Sequence, residues 1–289
     1  MRIAFIGLGR MGWHLAGHLA AAGHELRVYD IDADATRRWA DAFAGTAAAS
    51  IAEAVDGCAV VCSSVPADPQ LRAIWDEAQD GLAEGAIWID HSTTSAAIAR
   101  ALAAEASAAG RFFIDAPVSG GTVGAENGKL AVMAGGDPVA WATAEQVVAA
   151  YAARANLIGP PGAGQLTKMA NQICVLGCGQ ALAEGLAFAE AEGLDPRRVL
   201  EVMLTGSSTS WMMENRAELM IDATYDYGFS TTLMRKDVGL VLDEADRAGI
   251  ELPVTALVAD LLDENDAQGR ADSDWCSLME RQRARQAAS

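Results

Sequence analysis

The sequence predicts an α/β fold: a doubly wound, mostly parallel sheet followed by a second domain made entirely of helices. In the first half of the chain, apolar strand-like segments alternate with helical segments, which is typical of an open parallel sheet covered on both faces. A Gly-Pro-Pro-Gly segment at 159–162 ends that alternation, and beyond it a helical pattern continues without a convincing strand. We therefore predict two domains, residues 1–161 and residues 162–289.

The local pattern of each segment predicts its secondary structure. Apolar and β-branched runs predict strands at 3–6, 25–29, 58–63, 86–90, 111–115, 130–134 and 154–158. Apolar residues at helical spacing predict a long helix at 163–192 and further helices near 211–221, 233–248 and 254–268. Pro196 suits the first turn of one more helix, and we interpret the charged run at 280–285 as a solvated helix end.

Composition narrows the class of protein. Of the 289 residues, 51% are hydrophobic, which is enough for two sizeable cores. A formal net charge of −18 argues against nucleic acid or an anionic membrane as a partner, because either would require the opposite charge. We find no apolar run that approaches the length of a membrane span and no signal peptide, so we expect a cytoplasmic protein.

Cysteine and histidine spacing indicates neither a disulfide framework nor a metal site. Cys174 and Cys178 are four residues apart on the long helix, where buried thiols are common. His14 and His18 also have helical spacing, but no acidic residue or cysteine accompanies them nearby in sequence. We expect buried thiols and no bound metal.

The most informative segment joins the first strand to a helix. Strand residues 3–6 run directly into Gly7-x-Gly9-x-x-Gly12, the pattern of a Rossmann-type dinucleotide-binding turn. Gly7 permits the tight turn, Gly9 lets the backbone approach a pyrophosphate, and Gly12 lets helix and strand pack closely. The helix N-terminus then presents N–H groups to the phosphates. The predicted cofactor-binding residues of this turn are Gly7, Leu8, Gly9, Arg10, Met11 and Gly12.

Asp30 ends the second strand, about 20 residues beyond the glycines. A carboxylate there accepts hydrogen bonds from ribose hydroxyls and repels a 2′-phosphate, which favours NAD over NADP. The alternative is that Asp30 is a turn or capping residue, although Asp32 or Asp34 could cap the next helix instead. Arg37 and Arg38 could reach a phosphate, so NADP is the alternative cofactor.

Two further strand ends carry candidate ligand-binding residues, because ligands bind beyond the carboxyl ends of parallel strands. Residues 91–94 include several hydroxyls, which can hold a nicotinamide or simply cap the next helix. In Ser119-Gly120-Gly121, two glycines after a serine leave backbone N–H groups open for a carboxylate, although an ordinary turn has the same spacing.

Two lysines lie on predicted helices of the second domain. Gly164, Lys168 and Asn171 share one helix face by their four- and three-residue spacings. A lone helical lysine is usually a solvated surface residue, and Lys236, next to Asp237, could equally form a surface pair. Spacing alone leaves both interpretations open.

Five motifs, taken in order, resemble the β-hydroxyacid dehydrogenase family, which includes 3-hydroxyisobutyrate dehydrogenase and tartronate semialdehyde reductase. The motifs are Gly7-Leu-Gly-Arg-Met-Gly12, Asp90-x-Ser-Thr93, Asp115-Ala-Pro-Val-Ser-Gly-Gly121, Gly162-x-Gly-x-x-x-Lys168-x-x-Asn171 and Lys236-Asp-x-Gly239. The resemblance extends over nearly the whole chain, with Gln172 where many members have a second asparagine.

The resemblance implies a role for each motif. It implies Lys168 as the catalytic residue. It implies a substrate-binding set, the first three of which hold a carboxylate: Ser119, Gly120, Gly121, Asn171 and Lys236. It implies three cofactor contacts beyond the glycine turn: Val65, Pro66 and, at the nicotinamide, Thr93.

We therefore expect an oxidoreductase that transfers a hydride between NAD(H) and a short 3-hydroxyacid or semialdehyde, with Lys168 as general acid/base. A free lysine titrates near ~10.4, so the base role requires burial or a neighbouring cation such as Lys236 to lower the pKa. Because helical second domains of this family usually associate, we expect a homodimer or homotetramer. The alternatives are an imine reductase-like NADPH enzyme, which usually lacks this lysine, and a cofactor-binding module without catalysis.

Overall fold

The chain folds into two compact units in the computed structural model, which describes residues 1–226 and 228–287. The first unit comprises residues 1–168, and the second begins at residue 169. This division lies inside the long helix that starts at Ala163. The domain boundary expected from the sequence, between residues 161 and 162, lies just before that helix and stays a prediction.

The first unit is built on one large sheet. Its strands are β1 Arg2–Ile6, β2 Glu25–Tyr29, β3 Thr46–Ala47, β4 Val60–Ser63, β5 Ile87–Asp90, β6 Phe112–Asp115, β7 Val118–Ser119, β8 Leu130–Gly135 and β9 Ala152–Gly159. Within the described residues these nine strands lie in the order β3-β2-β1-β4-β5-β6-β8-β7, with β9 paired to β8. All pairs from β3 to β6 are parallel, whereas β8 runs antiparallel to β6 and β7. The sequence predicts seven of these strands and misses the two-residue strands β3 and β7.

Helices cover both faces of the sheet. They are α1 Gly12–Ala21, α2 Ala33–Phe43, α3 Ile51–Val55, α4 Asp68–Ala78, α5 Ala96–Ala108, α6 Gly121–Glu126 and α7 Pro138–Val148. Alternate residues of β1 enter two separate cores, Ile3 and Phe5 on one side and Ala4 and Ile6 on the other, because successive strand side chains point to opposite faces. This arrangement is the doubly wound sheet that the sequence predicts.

The second unit is helical. After α8, Ala163–Ala191, its helices are α9 Pro196–Met203, α10 Trp211–Asp222, α11 Thr231–Ala248, α12 Pro253–Ala267 and α13 Met279–Ala287. An isolated β-bridge between Ser230 and Asp274 is the one strand-like pairing among the residues described there. Leu176, Leu186 and Val238 lie in its hydrophobic core. The predicted fold class, a Rossmann-type sheet followed by helices, is confirmed.

The structure of α8 bears on two expectations, the lack of a membrane-length apolar run and the burial of its thiols, and the second is wrong. By length and composition this helix is apolar enough to cross a membrane, although half of its apolar window is buried within the protein, as in a core helix. Cys174 and Cys178 are exposed, whereas the other three cysteines are buried. Both thiols lie away from the helix face that carries Leu176 and Leu186 into the core, so their four-residue spacing keeps them on the outer face together.

Candidate functional site

The glycines of the β1–α1 turn meet separate steric demands. Gly7 has a φ of +92°, and a Cβ there would lie 2.2 Å from the Ser64 carbonyl oxygen. A Cβ on Gly12 would lie 1.9 Å from the Gly7 oxygen, so only glycine lets α1 start this close to the strand. A Cβ on Gly9 would meet no atom within 4 Å. Open space therefore lies above Gly9, where a ligand can approach the backbone.

A cleft of about 390 Å³ opens beside this turn. Its lining residues are Leu8, Gly9, Arg10, Trp13, His14, Asp30, Asp32, Ala35 and Arg38. At the start of α1 the N-cap residue, Met11, makes no side-chain capping hydrogen bond. A helix start without a side-chain cap is the arrangement that binds phosphate groups, so the turn and the cleft fit the pyrophosphate and adenosine parts of a dinucleotide.

Asp30 lines this cleft and also fixes the glycine turn. Its Oδ2 accepts the Leu8 N–H at 2.6 Å, and its Oδ1 accepts the Asp32 N–H at 2.8 Å. The N-cap of α2 is Asp32, which accepts the Asp34 N–H. Asp30 is therefore a turn residue facing the cleft and not the cap of the helix.

The two arginines that could bind a 2′-phosphate have acidic neighbours. Arg37 pairs with Asp34, and Arg38 Nη2 lies 3.8 Å from Asp32 Oδ2. Exposed pairs of this kind contribute little to stability. The carboxylates nevertheless offset the positive charge of both guanidinium groups, which weakens their attraction for an additional phosphate.

A buried hydrogen-bond network joins the loops after β4 and β5, which carry the other expected cofactor contacts. Ser63 Oγ and Ser92 Oγ both donate to Asp90 Oδ1, at 2.6 and 2.7 Å. The Val65 N–H donates to Ser92 Oγ at 2.8 Å. Ser95 is the N-cap of α5, so the Ser92 hydroxyl locks one loop to the other and does not cap the helix. Sequence reasoning missed this network because its members are far apart in the chain.

Lys168 is buried at the end of the first unit, with 8% of its surface exposed. Its Nζ donates to the Val118 carbonyl oxygen at 2.9 Å. Ser119 follows that carbonyl directly, and Gly120 and Gly121 continue with φ values of +133° and +64°. Lys168 is therefore not a solvated surface lysine, and its amine lies beside the segment expected to bind a carboxylate.

A buried carboxylate holds the start of α8. Asp115 accepts the Gly162 N–H on Oδ1 at 2.8 Å and the Gln165 N–H on Oδ2 at 2.9 Å. Burial raises the pKa of Asp115 to about 7, although both N–H donors act in the opposite direction. A Cβ on Gly164 would lie 2.4 Å from a β8 carbonyl oxygen, so glycine lets the helix begin against the strand. These contacts fix the helical turn that carries the buried lysine.

In the second unit, two hydrogen bonds and one ion pair connect Asn171 to Lys236. Asn171 Nδ2 donates to Gln172 Oε1 at 3.0 Å, and Gln172 Nε2 donates to Asp237 Oδ2 at 2.8 Å. Lys236 Nζ lies 3.0 Å from Asp237 Oδ1. Because Gln172 and Asp237 are both buried, Lys236–Asp237 is not a solvated surface pair. Gln172, which stands where many family members have a second asparagine, thus connects Asn171 to Asp237, the ion-pair partner of Lys236.

His14 and His18, the pair at helical spacing on α1, each contact α6. His18 Nε2 lies 2.8 Å from the Ala125 carbonyl oxygen, and His14 Nε2 lies 3.8 Å from Glu126 Oε1. In the described part of the chain, no cluster of three or more metal-ligating side chains occurs.

Two family models match the chain. One, described as the NAD binding domain of 6-phosphogluconate dehydrogenase, matches residues 2–159. The other, described as the NAD-binding of NADP-dependent 3-hydroxyisobutyrate dehydrogenase, matches residues 162–281.

Relatives match over nearly the whole length. An uncharacterized oxidoreductase of Shewanella frigidimarina is 45% identical over 97% of both chains. The 2-hydroxy-3-oxopropionate reductase of Escherichia coli is 33% identical over 97% of this chain and 96% of its own. A solved structure of Mycobacterium tuberculosis 3-hydroxyisobutyrate dehydrogenase with L-serine is 31% identical, covers 97% of this chain and 98% of its own, and has a TM-score of 0.87.

Proposed function

The chain belongs to the NAD(P)-binding hydroxyacid dehydrogenase family of 3-hydroxyisobutyrate dehydrogenase, and from this premise we propose that it transfers a hydride between NAD(H) and a short 3-hydroxyacid or the corresponding semialdehyde. The chemistry is that of an oxidoreductase.

The observation that carries the proposal is the buried amine of Lys168 beside Val118 and Ser119. Moving a lysine amine out of water is energetically unfavourable. An amine that is nevertheless buried among backbone groups therefore supports a role in proton transfer. The same residue argues against the two alternative functions. An imine reductase usually lacks this lysine, and a non-catalytic cofactor-binding module does not require it.

The proposed reaction assigns one task to each group. In oxidation the neutral Lys168 amine accepts the proton of the substrate hydroxyl, and in reduction its ammonium donates a proton to the carbonyl oxygen. The backbone N–H groups of Ser119, Gly120 and Gly121 hold the substrate carboxylate and orient the reacting carbon, while Asn171 and Lys236 bind the substrate further. When bound, the nicotinamide accepts or supplies the hydride. In this proposal Thr93 would contact that ring, and Val65 and Pro66 would hold the rest of the cofactor.

The proposal favours NAD over NADP because Asp30 and Asp32 both line the cleft beside the glycine turn. We would measure kcat/KM spectrophotometrically with both cofactors on a panel of short 3-hydroxyacids, semialdehydes and serine-like compounds. Preference for NAD and turnover of at least one member are expected. A clear NADP preference would contradict the role of Asp30, and much higher activity on cyclic imines would contradict the substrate class.

Replacing the buried lysine tests its role directly. Lys168→Ala is expected to lower kcat by about 10²–10⁴-fold, because the proton then has no acceptor, while NADH binding followed by fluorescence is retained. Arg154→Ala removes an exposed cation of the same unit and is expected to match the unmodified protein. Turnover close to the unmodified value in Lys168→Ala would refute the assignment.

A further inference from the structure

Gln165 lies on α8, three residues before Lys168, and is fully buried. Its side-chain Oε1 accepts the Thr94 N–H at 3.1 Å, and its Nε2 donates to the Ser92 carbonyl oxygen at 2.8 Å. Its backbone N–H donates to the Asp115 carboxylate at 2.9 Å. All of these groups belong to the first unit. One amide therefore ties the first turns of α8 to the loop after β5.

The two side-chain hydrogen bonds flank a single residue. Ser92 and Thr94 are buried, whereas Thr93 between them is only partly buried. Because a primary amide donates on one side and accepts on the other, Gln165 satisfies the N–H of one neighbour and the carbonyl of the other at once. Two simultaneous bonds fix both the position and the rotation of the loop. The backbone of Thr93 is thereby held at a set distance from the helix turn that carries Lys168.

We propose that Gln165 is a positioning residue that sets Thr93, and with it the nicotinamide, relative to the Lys168 amine. This rests on the proposed function for the roles of Thr93 and Lys168. Hydride and proton transfer require the ring carbon and the amine to be aligned with the same substrate, and misplacement of either lowers the rate steeply. A buried amide shared by both supporting segments supplies that alignment, since neither segment can shift without breaking a hydrogen bond inside the protein.

The Gln165→Glu variant tests the donor half of this amide. An ionised glutamate still accepts the Thr94 N–H but faces the Ser92 carbonyl with negative charge, whereas a protonated glutamate can donate to it again. We expect NADH to bind roughly tenfold more weakly and kcat to fall at least tenfold at pH 8, with both recovering toward the unmodified values as the pH is lowered. The unmodified protein is measured over the same range, because Asp115 contacts Gln165 and has a pKa of about 7.

Gln165→Leu removes both bonds at nearly constant volume. Hydrogen exchange followed by mass spectrometry is expected to show faster exchange of the Thr94 amide. Gln180→Leu is the matched control, because Gln180 is a buried glutamine on the same helix whose amide donates to Glu184. That control should keep the Thr94 exchange rate, NADH affinity and kcat.

Unchanged NADH affinity and unchanged Thr94 exchange in folded Gln165 variants would overturn the proposal, as would a loss in Gln165→Glu that acidic pH does not reverse. NADH affinity and exchange of the Thr94 amide are both measured without turnover, so they test Gln165 independently of the catalytic role of Lys168. Failure of the catalytic assignment is seen separately, as retained activity in Lys168→Ala.

Discussion

His91 shows how a single buried residue is fixed in one protonation state. Its Nδ1 lies 2.8 Å from the Ala116 carbonyl oxygen, and its Nε2 lies 2.8 Å from the Tyr151 hydroxyl. Because a carbonyl only accepts, Nδ1 must carry the proton, and in the neutral ring Nε2 then accepts the Tyr151 O–H. Burial lowers the pKa of His91 to about 4, and the Ala116 carbonyl opposes this only in part.

This low pKa predicts a loss of stability in acid. Between pH 6.5 and about 4 the unfolded chain binds a proton at His91 that the folded chain does not, so the free energy of unfolding falls as the pH falls. From this residue we expect a loss of about 2 kcal/mol between pH 7 and pH 5. Urea denaturation at both pH values, compared between the unmodified protein and His91→Asn, measures it.

The comparison with the variant is necessary because Asp115 acts in the opposite direction. Its pKa is raised to about 7 by burial, so the folded chain holds a proton there that the unfolded chain has lost, and stability falls as the pH rises from about 4 to 7. An identical pH dependence in His91→Asn and the unmodified protein would refute the assignment to His91.

At the scale of elements, the β1–α1 turn separates glycines needed for folding from a glycine needed for binding. Gly12→Ala is expected to lower the free energy of unfolding by about 1–3 kcal/mol, because its Cβ overlaps the Gly7 carbonyl oxygen. Gly9→Ala meets no neighbouring atom, so its melting temperature should be unchanged while its NADH Kd rises at least roughly tenfold.

Thermal unfolding and NADH fluorescence titration of the two variants check this division. Each variant serves as the control for the other, since both add one methyl group to the same turn. A destabilised Gly9→Ala, or a Gly9→Ala that binds NADH normally, would contradict the proposed approach of the pyrophosphate.

The sequence predicts the end of α8 better than it predicts the surroundings of the charged run on α13. Its helical pattern and its end near residue 191 follow from local spacing. The charged run at 280–285 is expected to be solvated, yet Arg283 pairs with Glu190 at 2.6 Å and Arg281 pairs with Glu264 at 2.5 Å, both through partly buried guanidinium groups. Partners 93 and 17 residues away leave no trace in local spacing.

At the scale of the whole molecule, homo-oligomeric assembly and a cytoplasmic location stay predictions. The outer face of α8 exposes Phe188 to 66%, next to small residues. An apolar ring exposed to that extent on a face of small side chains is typical of a helix that packs against a partner.

Sedimentation at micromolar concentration tests the assembly. We expect a dimer or tetramer for the unmodified protein and dissociation for Phe188→Glu, because a buried carboxylate at an interface is strongly unfavourable. Val202→Glu, which charges a 72% exposed apolar residue on α9, is the control and should sediment like the unmodified protein. A monomeric unmodified protein, or an unaffected Phe188→Glu, would count against the predicted interface.

The sequence by itself determined the order of the seven longer strands, the doubly wound class followed by helices, and the position of the dinucleotide-binding turn. These features depend on the spacing of apolar residues and glycines over a few positions. Because strands and helices have short, regular repeats, that spacing is visible in the sequence itself. The family resemblance added the roles expected of these residues, with Lys168 as the catalytic residue and the substrate-binding set beside it.

Only the tertiary structure decided what holds those residues in place. Asp115 reaches Gly162 across 47 positions, Gln165 reaches Thr94 across 71, and Gln172 reaches Asp237 across 65. Hydrogen bonds between groups so distant in the chain follow no period and depend on how completed elements pack. The burial of Lys168 has the same origin, since the carbonyl that its amine contacts belongs to Val118 in β7, 50 positions earlier in the chain.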